Sequence, residues 1–241
     1  MEFRLIKDNY YFLVLGDSIS RGIVYNEVRN KYVPLKENYV SLLQNQLKGM
    51  VNNLAKFGNT LIRGTERLQR ELFKTKPDIV LLEFGGNDCD FNWPEVAQNP
   101  EADHKPNTDY EVFKDQLRNT IQSLKNINII PVLMTLPPLD PDRYFKWISQ
   151  NSEEIGRNIL KWLGSVSKIY WWQEKYNAAI LTIASQTGTN LIDVRSAFLD
   201  FSDFRSLLCP DGIHPNEKGH QVIAQKIYSY VKENYPHLLR E

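Results

Sequence analysis

Cysteine is scarce in this chain, which has only Cys89 and Cys209 among its 241 residues. Two cysteines are too few for a disulfide framework, and they do not form the C-x-x-C spacing of a thiolate metal site. We therefore interpret them as free thiols of a reducing compartment. The sequence alone leaves open whether the two side chains approach each other in the fold.

An excess of charge of either sign is also absent. Lysine plus arginine and aspartate plus glutamate each total 29, so the formal net charge is zero. A balanced chain without a basic run lacks the electrostatic footprint of proteins that bind nucleic acid or an anionic membrane surface. We therefore expect no nucleic-acid partner.

Long apolar segments are missing as well. No stretch approaches the ~18 uninterrupted apolar residues of a membrane-spanning helix, and residues 1–8 lack the apolar core of a signal peptide. From this pattern we expect a cytoplasmic protein without stable membrane insertion. With 42% hydrophobic and 24% charged residues the composition is that of an ordinary globular protein, and we predict one domain over residues 1–241. No pattern in the chain indicates an oligomeric state.

Short apolar runs predict five strands of a buried parallel sheet. The predicted strands span residues 10–15, 51–56, 78–84, 127–136 and 190–194. Segments with apolar residues at helical spacing alternate with them and cover residues 38–47, 60–73, 109–124, 170–187 and 216–234. This alternation predicts an α/β fold with helices on both faces of a five-stranded parallel sheet. The carboxyl ends of such strands share one edge, where open α/β sheets bind their ligands.

Two long connections leave this predicted edge, at residues 89–108 and 137–164. Loops of this length in compact proteins often carry function, so we expect both to overhang a site. Aromatic residues crowd the second connection and the helix after it; they are Tyr144, Trp147, Trp162, Tyr170, Trp171 and Trp172. Two interpretations stay open for them: packing of the long helix on the sheet, or the lining of a pocket for an acyl chain or a sugar ring.

A serine follows the first predicted strand directly, in the turn Gly16-Asp17-Ser18. Near the other end of the chain an aspartate precedes a histidine by three residues, in the segment Asp211-Gly212-Ile213-His214-Pro215. Serine, histidine and aspartate in one site perform nucleophilic acyl transfer: the serine attacks, the histidine moves the proton and the aspartate holds the histidine's tautomer. Ser20 stands at the second glycine of G-x-S-x-G, which disfavours a lipase-type nucleophile elbow.

Candidate donors for an oxyanion follow the next two predicted strands. Gly58 ends the second strand, and Gly85-Gly86-Asn87-Asp88 ends the third. Backbone N–H groups at glycine turns and an asparagine amide are neutral donors of the kind that stabilise a developing oxyanion. Asp17, Asp88 and Asp90 are not expected to bind a metal, because no clustered histidine completes a ligand set. We interpret Asp17 and Asp88 as carboxylates that hold turns.

These segments together resemble the four marker segments of the SGNH hydrolases, also called GDSL-type esterases and lipases. The matching residues are Gly16-Asp17-Ser18, Gly58, Gly85-Gly86-Asn87-Asp88 and Asp211-Gly212-Ile213-His214-Pro215. The resemblance extends from residue 10 to about residue 230. It departs from the family pattern at the second segment, where Lys56-Phe57 precede Gly58 in place of an asparagine and Leu61 replaces a further glycine.

The resemblance implies a flavodoxin-like, three-layer α/β/α sandwich. It also implies Ser18 as the nucleophile, His214 as the general base and Asp211 as the acid that orients this base. The oxyanion hole implied by the family consists of the backbone N–H groups of Ser18 and Gly58 and the side chain of Asn87. No cofactor is implied. We therefore predict a serine esterase or acylhydrolase that cleaves carboxylic ester bonds of a small or medium acyl substrate.

Two alternatives to this prediction stay open. The same residues would serve a carbohydrate O-deacetylase. A protein of a different class, a non-catalytic flavodoxin-like module, would hold a phosphate-bearing ligand at its strand ends. The loop Gly16-Asp17-Ser18-Ile19-Ser20 suits phosphate poorly, because it contains an acidic residue.

Overall fold

A parallel β-sheet forms the centre of the computed structural model, which describes residues 7–240. The strands within this range are β1 (Tyr10–Gly16), β2 (Ile23–Asn26), β3 (Lys31–Pro34), β4 (Gly49–Asn53), β5 (Ile79–Glu83), β6 (Ile130–Met134) and β7 (Asn190–Ile192). Five of them form the sheet in the order β4-β1-β5-β6-β7, with every neighbouring pair parallel. The other two, β2 and β3, form a separate antiparallel hairpin.

Helices connect these strands. They are α1 (Ser18–Arg21), α2 (Tyr39–Gln46), α3 (Leu61–Leu72), α4 (Trp93–Gln98), α5 (Tyr110–Asn126), α6 (Pro141–Ile148), α7 (Glu153–Leu163), α8 (Ser167–Thr187), α9 (Val194–Leu199) and α10 (Glu217–Asn234). Single 3₁₀ turns lie at Phe204–Leu207 and Pro236–Leu238. Within residues 7–240 no helix combines the length and the apolar character needed to cross a membrane.

Strand β1 shows how the sheet divides the core into two halves. Successive side chains of a strand point to opposite faces. Phe12 and Val14 pack with buried residues of α2 and α10 on one face. Leu13 and Leu15 pack with buried residues of α3, α5 and α8 on the other face. The predicted α/β class with a three-layer α/β/α sandwich is therefore confirmed.

The strand order also determines where a crevice opens. The chain passes from β1 to β4 on one side of β1 and then to β5 on its other side. At such a reversal the connections leave the sheet in opposite directions, and a crevice remains beyond the carboxyl ends of the two central strands. Ser18 follows β1 and Asn87 follows β5, so the topology brings both to this crevice.

The five predicted strands and the five predicted helices are all present, with ends that differ from the predictions by up to three residues. The second strand is Gly49–Asn53 where residues 51–56 were expected. It lies at the edge of the sheet and contains the polar residues Asn52 and Asn53, so its hydrophobic pattern marks its ends poorly. The hairpin of β2 and β3 was not predicted; it is short, and most of its side chains are half-buried or exposed.

The prediction of two long loops was wrong in part. The connection at residues 89–108 contains α4, and the connection at residues 137–164 contains α6 and α7. These helices are short, and short helices depend on tertiary packing for their stability. They bury their apolar side chains against one another and the start of α8 in a third cluster, named here the cap; its buried members are Phe91, Trp93, Val96, Ala97, Leu139, Tyr144, Ile159, Leu163 and Ile169.

Candidate active site

A pocket of about 750 Å³ opens at the crevice between the ends of β1 and β5. Four of the residues singled out in the sequence line it: Ser18, Gly58, Asn87 and His214. The fifth, Asp211, is fully buried behind His214. Residues separated by almost the whole chain are thus brought to one place.

Ser18, His214 and Asp211 form a continuous line of hydrogen-bonding atoms. The Nε2 atom of His214 lies 2.9 Å from Ser18 Oγ. On the opposite side of the imidazole ring, Nδ1 lies 2.6 Å from Asp211 Oδ2. An Nδ1–H group that donates to the carboxylate leaves Nε2 unprotonated and free to accept the hydroxyl proton of Ser18. This is the geometry required of a nucleophile and its base.

The carboxylate of Asp211 is stabilised in its ionised form. Its Oδ1 atom accepts the backbone N–H groups of Ile213 and His214, each at 3.1 Å. Its Oδ2 atom accepts the hydroxyl of Tyr32 at 3.0 Å in addition to the imidazole. Burial by itself raises the pKa of Asp211, but the hydrogen bonds and the positive charge that His214 can carry outweigh it and hold the pKa below its usual value.

Asp17 holds the turn that presents Ser18. Its Oδ1 atom accepts the backbone N–H of Ile19 at 2.8 Å and so caps the short helix α1. Its Oδ2 atom accepts the side-chain amide of Asn87 at 2.9 Å. The interpretation of Asp17 as a turn-holding carboxylate is therefore confirmed. The bond also ties the turn after β1 to the turn after β5, which holds Asn87 beside the turn that carries Ser18.

Asp88, the residue after Asn87, also holds a turn through its carboxylate. Its carboxylate accepts the backbone N–H of Leu61 and the hydroxyl of Thr108. Burial raises its pKa to about 6. These contacts confirm that Asp88 holds a turn: they join the turn after β5 to the start of α3 and to the segment before α5.

A further buried acid, Glu83, lies beneath the turn that carries Ser18. Its Oε2 atom accepts the hydroxyl of Ser20 at 2.8 Å, and this hydroxyl lies 2.5 Å from the hydroxyl of Tyr39. Burial and the charge of neighbouring Asp17 raise the pKa of Glu83 well above its usual value. Burial raises the pKa of Asp17 as well, but the hydrogen bonds from Ile19 and Asn87 and the charge of His214 oppose this effect.

The proposed oxyanion donors belong to three residues that line the pocket, and they differ in their bonds to the protein. The N–H groups of Ser18 and Gly58 have no protein acceptor among residues 7–240 and remain available to a ligand. The amide of Asn87 donates one hydrogen to Asp17 and retains the other. Three donors that face one pocket can act on one oxygen atom of a bound ligand.

The cap supplies the outer wall of the pocket. Its aromatic and aliphatic lining includes Phe91, Trp93, Leu139, Tyr144, Trp147, Ile169 and Trp172. A carboxylate interrupts this wall: Asp90 accepts the indole N–H of Trp93 at 2.7 Å and the hydroxyl of Tyr144 at 2.6 Å. Burial raises the pKa of Asp90, and its hydrogen bonds oppose this effect.

The structure divides the aromatic segment into residues that line the pocket and residues that do not. Tyr144, Trp147 and Trp172 line the pocket. Trp162 packs in the cap outside the pocket, and Trp171 is more than half exposed. The expectation that the connections overhang the site is thus met by their helices.

Both cysteines are buried free thiols. Cys89 donates to the backbone oxygen of Gly86, and Cys209 accepts the backbone N–H of Tyr25. Burial raises the pKa of Cys209 to about 11, so this thiol is not a reactive thiolate at neutral pH. Within the described part of the chain no group of three or more His, Cys, Asp or Glu side chains is arranged to hold a metal ion.

Two polar residues of the site were missed in the sequence. Glu83 gives a signal that could have identified it, since it is a charged residue at the end of an apolar strand. Tyr32 gives none: it lies on a half-exposed hairpin and belongs to no recognisable motif. Its contact with Asp211 joins residues 179 positions apart and arises only from the tertiary fold.

Comparison with known proteins agrees with this fold and shows the family of the chain. The strand order and the grouping of the four marker segments define the class of SGNH-type hydrolases, as the resemblance implied. Residues 14–222 match the model of the GDSL-like Lipase/Acylhydrolase family. The chain belongs to this family.

Individual relatives are distant. The chain is 24% identical over 160 residues to the GDSL esterase/lipase CPRD49 of Arabidopsis thaliana, a match that covers 66% of this chain and 56% of that protein. The chain thus spans little more than half the length of this curated relative.

Solved structures share the fold over nearly their whole length. A lipase/acylhydrolase from Enterococcus faecalis has a TM-score of 0.67 at 18% identity, with 96% of this chain and 97% of that one covered. Axe2, an acetylxylan esterase from Geobacillus stearothermophilus, has a TM-score of 0.60 at 20% identity, with 95% of each chain covered. At this level of identity the likeness is one of fold.

Gly212 provides a test of how the Asp211–His214 turn is held. Its φ is +76°, and a Cβ atom there would lie 2.7 Å from the backbone oxygen of Asp140. We expect Gly212→Ala to lower the free energy of unfolding by about 1–3 kcal/mol and to lower kcat for p-nitrophenyl acetate, because the turn has to move. Urea unfolding and steady-state kinetics measure both effects.

The matched control is Gly188→Ala. Gly188 ends α8 with φ +56° and has open space around it, so this variant has the backbone strain without the clash. It should lose about 1 kcal/mol of stability and keep its kcat. An equal loss of kcat in both variants would contradict a specific role of the Gly212 turn.

Proposed function

We propose that this protein is a serine esterase or acylhydrolase that cleaves carboxylic ester bonds of small or medium acyl substrates. The observation that carries the proposal is the line of atoms from Ser18 Oγ to His214 Nε2 at 2.9 Å and from His214 Nδ1 to Asp211 Oδ2 at 2.6 Å. It lies at the wall of a pocket that a substrate can enter. Membership of the GDSL-like Lipase/Acylhydrolase family supports the same chemistry.

In the first half of the reaction Ser18 Oγ attacks the carbonyl carbon of the ester while His214 Nε2 takes the hydroxyl proton. Asp211 accepts the Nδ1–H of His214, holds the ring in the required tautomer and stabilises the imidazolium that forms. The backbone N–H groups of Ser18 and Gly58 and the amide of Asn87 donate to the tetrahedral oxyanion. Neutral donors suffice for this step, so the proposal needs no cofactor.

The second half of the reaction regenerates the enzyme. The tetrahedral intermediate collapses, the bond to the alcohol oxygen breaks, and His214 returns its proton to the leaving alkoxide. A water molecule then loses a proton to His214 and attacks the acyl group on Ser18. The second tetrahedral intermediate collapses, the bond between Ser18 Oγ and the acyl carbon breaks, and His214 returns its proton to Ser18 Oγ. The acid is released, and one ester and one water have become one acid and one alcohol.

The pocket fits a small-molecule ester as the partner of this chemistry. Its volume of about 750 Å³ lies within the range of small-molecule sites. Its wall is mostly aromatic and aliphatic, which suits the burial of an acyl chain or of the apolar face of an alcohol. A cytoplasmic location, expected from the sequence, stays a prediction.

The nucleophile is tested by covalent labelling. We expect an organophosphonate to block hydrolysis of p-nitrophenyl acetate and to form one adduct, which mass spectrometry locates on Ser18. Ser18→Ala should lose both hydrolysis and labelling while its thermal unfolding stays close to that of the native protein, because the Ser18 hydroxyl bonds only His214 within the described residues. A non-catalytic ligand-binding module would take no label, and a label on another residue would contradict the assignment.

Asn87→Ala tests the oxyanion hole. Loss of one such donor in other hydrolases lowers kcat by about 10²–10³, and we expect a loss of this size with little change in KM. Asn107→Ala is the matched control, because its amide donates to the backbone oxygen of Asn87 and supports the same turn without lining the pocket. It should lower kcat far less. Equal effects of both variants would assign Asn87 a role in the turn alone.

A second candidate is a carbohydrate O-deacetylase on the same catalytic residues. The observation that favours it is Asp90, a half-buried carboxylate that lines the pocket among aromatic rings. Each Asp90 oxygen accepts one protein donor and can accept another from a sugar hydroxyl. Aromatic faces such as that of Trp172 can stack on a sugar ring. Axe2, whose fold is similar, is described as an acetylxylan esterase.

Asp90→Asn distinguishes the two candidates. An asparagine keeps the shape of the side chain and can still bond Trp93 and Tyr144, but it loses the charge that strengthens bonds to hydroxyl groups. For a sugar deacetylase we expect KM for an acetylated xylooligosaccharide to rise about tenfold. KM for p-nitrophenyl acetate, which has no hydroxyl group, should stay unchanged. Equal KM changes for both esters, or no release of acetate from the oligosaccharide, would leave the acyl esterase as the function.

A further inference from the structure

The hairpin of β2 and β3 contributes a side chain to the centre of the site. The hydroxyl of Tyr32 on β3 donates to Asp211 Oδ2 at 3.0 Å, the same oxygen that receives His214 Nδ1. The hairpin lies outside the five-stranded sheet and carries none of the four marker segments. A role for it in the reaction goes beyond the functions assigned above to Ser18, His214 and Asp211.

The carboxylate of Asp211 needs this donor because it has no contact with solvent. An ionised carboxylate in such a place is stable only when hydrogen bonds replace its hydration. Three of its four donor groups belong to its own turn: two backbone N–H groups and the imidazole. Within the described part of the chain Tyr32 supplies the one donor from another segment. This bond ties the carboxylate directly to a segment outside its own turn.

The ring of Tyr32 also restricts the imidazole. Its centroid lies 5.1 Å from that of His214. Phe57 lies 5.3 Å from Tyr32 and stacks on His214 at 6.1 Å with the ring planes 14° apart. Two aromatic rings thus enclose the imidazole beside its bonds to Asp211 and Ser18. Rotation of the His214 ring away from Ser18 would lose these contacts.

The hairpin itself is held in place from two sides. Tyr32 pairs across the hairpin with Tyr25, whose backbone N–H lies 3.5 Å from Cys209 Sγ, two residues before Asp211. Trp147 of α6 packs edge-on against Tyr25 at 4.7 Å and against Tyr32 at 6.0 Å. Tyr32 is therefore carried on a supported element, as a group that positions another side chain must be.

We propose that Tyr32 is a positioning residue that fixes the Asp211–His214 pair for the reaction through its hydroxyl bond to Asp211. The proposal rests on the assignment of His214 as the base. In the transition state the imidazole becomes positively charged and moves a proton between two oxygen atoms, so a small error in its placement lowers the rate. Tyr32 touches neither the scissile bond nor Ser18 Oγ in this scheme and acts through Asp211.

Tyr32→Phe removes the hydroxyl and keeps the ring. We expect kcat for p-nitrophenyl acetate to fall roughly tenfold, the size expected for loss of a hydrogen bond to a charged group, with KM nearly unchanged. The variant should also move the acidic limb of the pH profile of kcat/KM to higher pH, because Asp211 without the Tyr32 donor presents more negative charge to the imidazole and favours its protonated form. A purely structural role would not move this limb.

Other ionisable groups face this cluster and remain in the variant. They are Asp17 from the β1–α1 turn, Cys209 from the loop before Asp211, His220 from α10 and Tyr25 from the hairpin. The matched control is Tyr11→Phe. It removes a half-buried hydroxyl that accepts a bond from Asn52 near the start of β1, at the opposite end of the strand from Ser18. This control should keep the native kcat and the native pH profile.

A double-mutant cycle decides between positioning and a general effect on the fold. In an Asp211→Asn background, Tyr32→Phe should cause little further loss in the rate of Ser18 labelling by the organophosphonate, because its target carboxylate is gone. A full tenfold loss in that background, or a native kcat with a native pH profile for the single variant, would overturn the proposal. Failure of the esterase assignment looks different, since Ser18 would then take no label in the native protein.

Discussion

A carboxyl group without access to water is either ionised and saturated with hydrogen bonds or neutral, and this constraint organises the site. Asp211 is the ionised case, with two backbone donors, an imidazole and a tyrosine hydroxyl around it. Glu83 is the neutral case, because burial and the charge of Asp17 raise its pKa well above the usual value. The two acids therefore differ in charge: Asp211 is negative and Glu83 is neutral.

This difference suits the proposed chemistry. The negative charge of Asp211 lies next to the imidazole, where a positive charge develops. A second full charge on Glu83 would lie beneath the turn that donates to the oxyanion and would oppose the negative charge that develops there. A neutral Glu83 can still hold Ser20 and the start of α1 by hydrogen bonds. The buried network thus supports the nucleophile turn without adding repulsion.

The sequence contained most of what places the catalytic candidates. Ser18 and Asn87 directly follow apolar strands, and Asp211 and His214 are three residues apart in one turn, so local pattern and parallel topology suffice to bring them to one edge. The helices on both faces of the sheet were predicted from the helical spacing of their apolar residues. Within β5, Glu83 stands out as an acid in an apolar run, and only its protonation state requires knowledge of its neighbours.

The wall of the pocket could not be predicted in this way. Helices α6 and α7 have few residues each, and their apolar side chains become buried only when the cap assembles from separate segments of the chain. Whether Trp147 or Trp171 faces the pocket depends on how these helices pack, which no local pattern encodes. The contact of Tyr32 with Asp211 likewise depends on where a half-exposed hairpin comes to rest.

The proposed catalytic residues and the residues of the pocket wall thus come from different parts of the fold. The proposed reacting groups come from turns at the ends of the sheet strands and from the turn before α10, while the cap and the hairpin line the rest of the pocket. Tyr32 contacts both parts: its hydroxyl bonds Asp211, and its ring packs against Trp147 of the pocket wall. Because one side chain joins both parts, the alignment of the proposed base depends on an element that the sheet does not contain.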